Sequence, residues 1–200
     1  MRLVVATGNA HKVEEIKTLL AGAGWAVDVV TAAVCGGMPP VDENAGNFQG
    51  NALLKAEALR DRVREDDWIL ADDSGLVVDA LNGEPGVHSA RYAGAKASDK
   101  DNYTKLLAAM SGLASESRRA RFVCVLCLIG PQKSGRSVPR YFPGECEGTI
   151  ALEPEGKEGF GYDPVFIPEG YDQTFAALGQ TVKNEKSHRR KAVLALAHAF

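Results

Sequence analysis

Apolar residues fall along this chain in two rhythms, and the change from one to the other predicts the elements. Arg2-Leu3-Val4-Val5-Ala6 contains a short continuous apolar run of the kind a buried strand carries. Thr7-Gly8-Asn9 follows as a turn, with Asn9 placed to cap a helix from about Lys12 to Ala23. Val13, Ile16, Leu19 and Leu20 share one face of that helix, and Gly22 and Gly24 end it. Ala26 to Thr31 is a second expected strand, and strand, helix, strand at this spacing is the pattern of an α/β sheet. Residues 32 to 46 predict a long loop, and loops of that length in compact domains tend to be functional or mobile. Phe48 to Val63 is the clearest helix, with Leu53, Leu54, Ala56, Ala58 and Leu59 set against Lys55, Glu57 and Arg60.

The rest of the pattern is built around Trp68 to Leu81, where two apolar runs flank Asp72-Asp73-Ser74-Gly75 and read as two buried strands joined by a tight turn. A glycine-rich segment, Asn82 to Gly94, precedes a helix that Ser98 caps, with Asp99 and Asp101 in its first turn and its end at Met110. Ala120 to Ile129 is a long strand, 130–137 a polar turn and Val138 to Phe142 a returning strand, antiparallel because the connection is too short for a helical crossover. Val165 to Ile167 adds a strand, and Ser187 to Phe200 a last helix with Val193, Leu194, Leu196 and Ala197 inward. The expected fold is α/β, a mixed sheet with flanking helices, in a single domain over residues 1–200.

Composition narrows the partners. A net charge of -3 gives no reason to expect nucleic acid or a membrane surface. The longest apolar runs, about ten residues, are too short to span a bilayer. Met1-Arg2-Leu3 runs straight into a strand without a signal-peptide layout, so a cytoplasmic protein is expected. Cys124 and Cys127 have the spacing of a zinc or redox pair but lie in a continuous strand-like run. Residues three apart on a strand face opposite ways, so these are expected to be buried, inert thiols.

Several stretches carry candidate chemistry. The carboxylates Asp72 and Asp73 repel one another and call for a nearby cation; Mg²⁺ fits, since it takes carboxylate oxygens and fills its shell with water and phosphate. Ordinary turn chemistry is the competing explanation. Thr7-Gly8-Asn9-Ala10-His11-Lys12, between strand and helix, offers helix-start amides and a lysine to a phosphate, or else simply an Asn cap and a solvated lysine. Asp42-Glu43 in the long loop and Lys55 on the next helix extend the acidic and the basic set, though each taken singly is also an ordinary surface charge. Phe160-Gly161-Tyr162-Asp163 with Ser187-His188-Arg189 puts an aromatic ring and two donors within one chain, suited to stacking on and bonding a flat heterocycle.

Taken together, TGNAHK at 7–12, FQGNALLKA at 48–56, ADDSGL at 71–76, GVHSARYAG at 86–94, ARFVCVL at 120–126, FGYDP at 160–164 and SHR at 187–189 resemble the inosine/xanthosine triphosphate pyrophosphatases, also called Ham1-like. The resemblance covers nearly the whole chain. It implies a homodimer of elongated two-lobed subunits with a central cleft, and hydrolysis of ITP, dITP and XTP to the monophosphate and pyrophosphate. It further implies that Asp73 is the catalytic acceptor and a metal ligand, with Glu43 as second carboxylate and Asp72 as support. Thr7, Asn9, Lys12 and Lys55 then hold the triphosphate, Ser74 touches the substrate, and Phe160 to Asp163, Lys183, His188 and Arg189 hold the base. Asp42 remains the alternative to Glu43, and Lys186 the alternative to Lys183.

The implied chemistry is attack of water on the α-phosphorus with Asp73 taking the proton, directly or through a metal-bound water. An oxygen at position 6 of the purine satisfies donors that adenine would leave unpaired, at about 1 to 3 kcal/mol each. Guanine shares that oxygen, so its exclusion needs another contact. The rival classes are a nucleotide sensor without turnover, a Maf-type pyrophosphatase, whose serine-and-arginine-rich opening is missing here, and a phosphatase releasing orthophosphate.

Overall fold

The computed structural model describes residues 1–135 and 137–199; Arg136, in the expected turn 130–137, and Phe200, at the end of the expected last helix, lie outside the described residues. Strand β1 (Arg2–Ala6) leads through Asn9 into helix α1 (Ala10–Gly22), followed by β2 (Asp28–Thr31) and helix α2 (Phe48–Glu57). β1 runs parallel between β2 and β3 (Trp68–Val78), with Val4 opposite both Val30 and Ile69. Helix α3 (Asp99–Ala109) starts on a capping box between Ser98 and Asp101. Strands β4 (Arg119–Ile129), β5 (Arg140–Ile150) and β6 (Phe166–Pro168) complete one sheet in the order β2-β1-β3-β4-β5-β6. β6 is antiparallel to β5, so the sheet is mixed, as expected. Helix α4 (Phe175–Lys186), broken at Gly179, and helix α5 (His188–Ala197) end the chain. Among the described residues no helix is long and apolar enough to cross a membrane.

The chain falls into two compact units: Met1–Asp73 with Cys124–Gly144 and the chain from Lys191 onward, and Ser74–Val123 with Glu145–Arg190. In the first unit both faces of the sheet are covered, which is why Leu3 through Ala6 are all fully buried. Leu3, Val5, Leu70 and Cys124 pack with Val13, Ile16, Leu19 and Leu20 of α1 and with Ala192, Val193 and Leu196 of α5. Val4, Ala6, Ile69, Ala71 and Cys127 pack with Ala52, Ala56 and Leu59 on the α2 side. Cys124 and Cys127 thus belong to different cores, as the strand period requires, and burial pushes the Cys127 thiol up to about 12. The second unit buries Leu76, Val78, Leu106, Met110, Phe122, Phe166 and Phe175, with the Phe122 and Phe166 rings 4.6 Å apart.

Four expectations are corrected. Asp72-Asp73-Ser74-Gly75 is no turn: β3 runs unbroken from Trp68 to Val78, and Gly75 takes no left-handed φ. Lysines neutralise both carboxylates, so polar residues that read as a break sit inside the strand. Helix α2 stops at Glu57 rather than Val63, because the chain tightens into i→i+3 turns that still bury Leu59 while Arg60 pairs back to Glu57. β5 continues to Ile150 instead of ending at Phe142, with Phe142, Gly144 and Cys146 inward and Pro143, Glu145 and Glu147 outward. Gly148 belongs to that strand because a Cβ there would come within 2.2 Å of Ile167 O. The last helix begins at His188, with Ser187 Oγ accepting from Arg190 N, and α4 before it was not anticipated because Gly179, at φ 84°, interrupts its pattern.

Candidate active site

Parallel strands point their carboxyl ends the same way, and β1 feeds α1 and β2 on one side while β3 lies on the other. Such a reversal of strand order is where open α/β sheets bind ligands. The β1–β3 ladder ends at Ala6 opposite Ala71, so Thr7 and Asp72 are the next residues on each strand. Asn9 N donates to Thr7 Oγ1 at 3.1 Å, and Asn9 Oδ1 accepts from His11 N at 2.9 Å and Lys12 N at 3.3 Å. The expected cap is present, and it engages two of the amides that the sequence offered to phosphate. Gly8, Asn9, Ala10 and His11 are exposed, and a Cβ on Gly8 would meet nothing within 4 Å.

Side chains alternate along β3, and this separates the two carboxylates. Asp72 shares a face with Leu70 and Cys124, the α1 side, where Lys12 Nζ donates to Asp72 Oδ1 at 2.5 Å and Cys124 Sγ donates to Asp72 Oδ2 at 3.3 Å. Asp73 shares a face with Ile69 and Ala71, the α2 side, where Lys55 Nζ donates to Asp73 Oδ1 at 2.5 Å and reaches Glu43 Oε2 at 3.3 Å. Each acid therefore hydrogen-bonds its own lysine, while the charges of both bear on Lys55. Burial pushes the Asp73 carboxyl above the usual range, Lys55 and Lys12 reverse this only in part, and Glu43 adds to the rise. Burial works against the Lys55 ammonium as well, but the charge and hydrogen bond of Asp73, with Glu43 behind it, hold its pKa above the ordinary lysine value.

The acid loop is fastened from α2. Asn47 caps the helix, Asn51 Oδ1 accepts from Ala45 N at 3.1 Å, and a Cβ on Gly50 would come within 2.4 Å of Ala45 Cβ. This brings Glu43 to Lys55, whereas Asp42 accepts from the side chain of Asn44. Gly50 and Asn51 were missed from the sequence, although a glycine and an asparagine inside a helix, both poor helix formers, were the available signal.

Among the described residues no three His, Cys, Asp or Glu side chains gather into a metal cage. Mg²⁺ needs none, since one or two carboxylates with phosphates and waters complete its shell. Among the described residues, none donates a hydrogen bond to the buried Asp73 Oδ2. A bare carboxylate oxygen, beside a cation that already draws Asp73 and Glu43 together, suits a hard divalent ion.

In the second unit, the FGYD turn and the start of α5 form a separate cluster. Asp163 Oδ2 accepts from Lys183 Nζ at 2.6 Å and from Phe160 N at 2.8 Å, and a Cβ on Gly159 would come within 2.2 Å of it. Lys183 Nζ lies 4.2 Å from the centre of the half-buried Phe160 ring. Lys186 is exposed. His188 stacks on Phe122 at 4.7 Å, and Arg189, 1% exposed, donates to Ser74 Oγ at 2.9 Å. Gly161 N donates to Asp99, and the buried Tyr162 hydroxyl donates to Ser89 O at 2.8 Å, tying the turn to the GVHSARYAG segment. Ser89 Oγ also accepts from Leu76 N, a supporting role that the sequence did not disclose.

A sequence profile of the Ham1 family matches residues 3–199. A dITP/XTP pyrophosphatase of Opitutus terrae is 47% identical over 201 residues, covering 98% of this chain and 97% of the relative. A dITP/XTP pyrophosphatase of Bdellovibrio bacteriovorus is 45% identical over 195 residues, covering 98% and 95%. Among solved structures, a HAM1 protein from Coxiella burnetii superposes with a TM-score of 0.86 at 35% identity over 100% of this chain and 98% of that one.

Proposed function

The chain belongs to the Ham1 family, and from that membership together with the Asp73 cluster we propose that it hydrolyses the deaminated purine nucleoside triphosphates ITP, dITP and XTP to the monophosphate and pyrophosphate. The observation that carries the reading is the buried Asp73 Oδ2, which accepts no hydrogen bond from the described residues while Lys55 ties the same side chain to Glu43. Asp73 takes the proton of the attacking water, and the elevation of its carboxyl by burial makes it a better base than a solvated aspartate. As the new oxygen bond forms at the α-phosphorus, the bond to the bridging oxygen breaks and pyrophosphate leaves with the electron pair. Lys12 and Lys55 neutralise the phosphate charge, with Thr7, Gly8, Asn9, Ala10 and His11 lining the phosphate end. Asp73 and Glu43 would hold Mg²⁺, which when bound would supply neutralisation of the phosphate charge.

The half-buried Phe160 ring, braced by Lys183 and Asp163, offers the stacking surface for the purine. Gly161 and Tyr162 shape that turn, while His188 and Arg189 bear on the oxygenated edge and Ser74 on the sugar-phosphate side. Arg189 already donates to Ser74, so its contribution to the base is that of a held donor rather than a mobile one. The same reading includes a cytoplasmic location and a homodimer, the second of which light scattering on the purified protein tests. The decisive measurement of activity is product analysis after incubation with dITP or XTP and Mg²⁺. Monophosphate and pyrophosphate are expected; orthophosphate, or no turnover, defeats the proposal.

A further inference from the structure

Lys12 is the phosphate-gripping residue at the start of α1, and a lysine side chain is long and flexible enough that its ammonium is fixed only by what it pairs with. Its partner is Asp72, a fully buried carboxylate in the β3 strand. Asp72 is itself held on the other oxygen by the thiol of Cys124, fully buried on β4 and donating at 3.3 Å. Strand alternation sends Asp72 to the opposite face from Asp73, where it hydrogen-bonds Lys12 and Cys124 and reaches the Asp73–Glu43 set only through its charge on Lys55. An apolar residue of similar size would fill the Cys124 site as well, and the thiol's distinguishing property there is its S–H donor.

We infer that Cys124 is a positioning residue for the proposed reaction: its S–H holds Asp72 in the orientation that presents Oδ1 to Lys12, and Lys12 in turn to the triphosphate. The thiol remains reduced and does no covalent chemistry. The inference rests on the proposed hydrolysis for its kinetic consequence, but the hydrogen bond can be tested without it.

Cys124→Ala removes the donor, and Cys124→Ser restores one. Lys12 binds the triphosphate in ground and transition states alike, so Cys124→Ala is expected to raise KM about tenfold with kcat nearly unchanged, the loss one charge-assisted hydrogen bond brings. Cys124→Ser is expected to restore most of the affinity. A packing role predicts the reverse order, because serine loses the sulfur volume and adds a buried hydroxyl. Equal impairment of the two variants, or a wild-type KM in Cys124→Ala, overturns the inference while leaving the hydrolysis intact. Infrared difference spectra of wild type minus Cys124→Ala isolate the Cys124 S–H stretch. The band is expected at the low frequency of a bonded thiol and to rise in Asp72→Asn. A band that does not respond to Asp72 overturns the inference even if the wild type turns over no nucleotide.

Discussion

The charged clusters around Asp73 and around Phe160 are built from similar parts and to opposite ends. Around Phe160 the charges are closed: Asp163 takes both Lys183 and a backbone amide of its own turn, with Lys183 3% exposed. Around Asp73 the pairing is loose, since one lysine spans two carboxylates, Glu43 is the more open of them, and one oxygen of Asp73 accepts no hydrogen bond from the described residues. A buried pair with all its hydrogen bonds made rigidifies its surroundings, whereas a buried carboxylate oxygen left bare is a standing cost that an incoming cation relieves. The first arrangement suits a fixed platform for a flat ring. The second suits a site that exchanges partners during turnover.

The sharpest way to break this contrast is at Asp73. Asp73→Asn is expected to lower kcat by about a thousandfold, the scale of a lost general base, while circular dichroism stays native. An active variant would remove Asp73 from the chemistry and the contrast with it. Next comes Lys183→Met, which leaves Asp163 buried without its cation and is expected to cost about 3 to 5 kcal/mol in denaturant unfolding. Should it cost under about 1 kcal/mol, the range of an exposed pair, the Phe160 cluster is not the closed structure described.

A purely structural pair in the first unit supplies a control of smaller effect. The bidentate Arg2–Asp67 contact holds the Asp67 carboxyl below the usual range, chiefly through the Arg2 hydrogen bonds, against an opposing push from burial. A depressed folded pKa means that the stabilisation is complete above the unfolded value and is lost as pH falls through the folded one. Asp67→Asn should therefore lower Tm by a few degrees at neutral pH, without touching kcat, and its deficit should vanish in acid. A deficit that persists at low pH would point to packing instead. The smallest change is Gly50→Ala, whose Cβ would come within 2.4 Å of Ala45 Cβ. Overpacking there is expected to cost about 1 kcal/mol and to reduce activity by displacing Glu43, an effect that a matching Glu43→Gln variant should mask.

Part of the candidate site was legible in the sequence where its residues sit at an element boundary, as Thr7 to Lys12 do between β1 and α1, because composition is informative there. Asn9 before an apolar periodicity marked the cap of α1, and the continuous runs at 2–6 and 120–129 marked strands buried on both faces. The same logic misread Asp72-Asp73-Ser74-Gly75, since charged residues ordinarily break a buried strand and only a partner from elsewhere in the chain keeps them inside one. It stopped β5 at Pro143-Gly144 for a similar reason, and it passed over α4 because Gly179 interrupts the pattern.

By itself the sequence determined which side chains were available and the local period that carried them: a mixed α/β sheet, an anion-capable helix start, lysines on two helices, acids on one strand, an aromatic in a glycine turn. Tertiary structure alone decided how they pair. That neighbouring acids part to opposite faces, that Lys12 takes one and Lys55 the other, that Glu43 rather than Asp42 comes to Lys55, and that a cysteine stands behind Asp72 all depend on residues 12 to 60 positions apart in the chain. Local propensity reports the energy of a residue with its near neighbours, whereas the choice of partner for a buried charge is set by what the completed fold places within hydrogen-bonding reach.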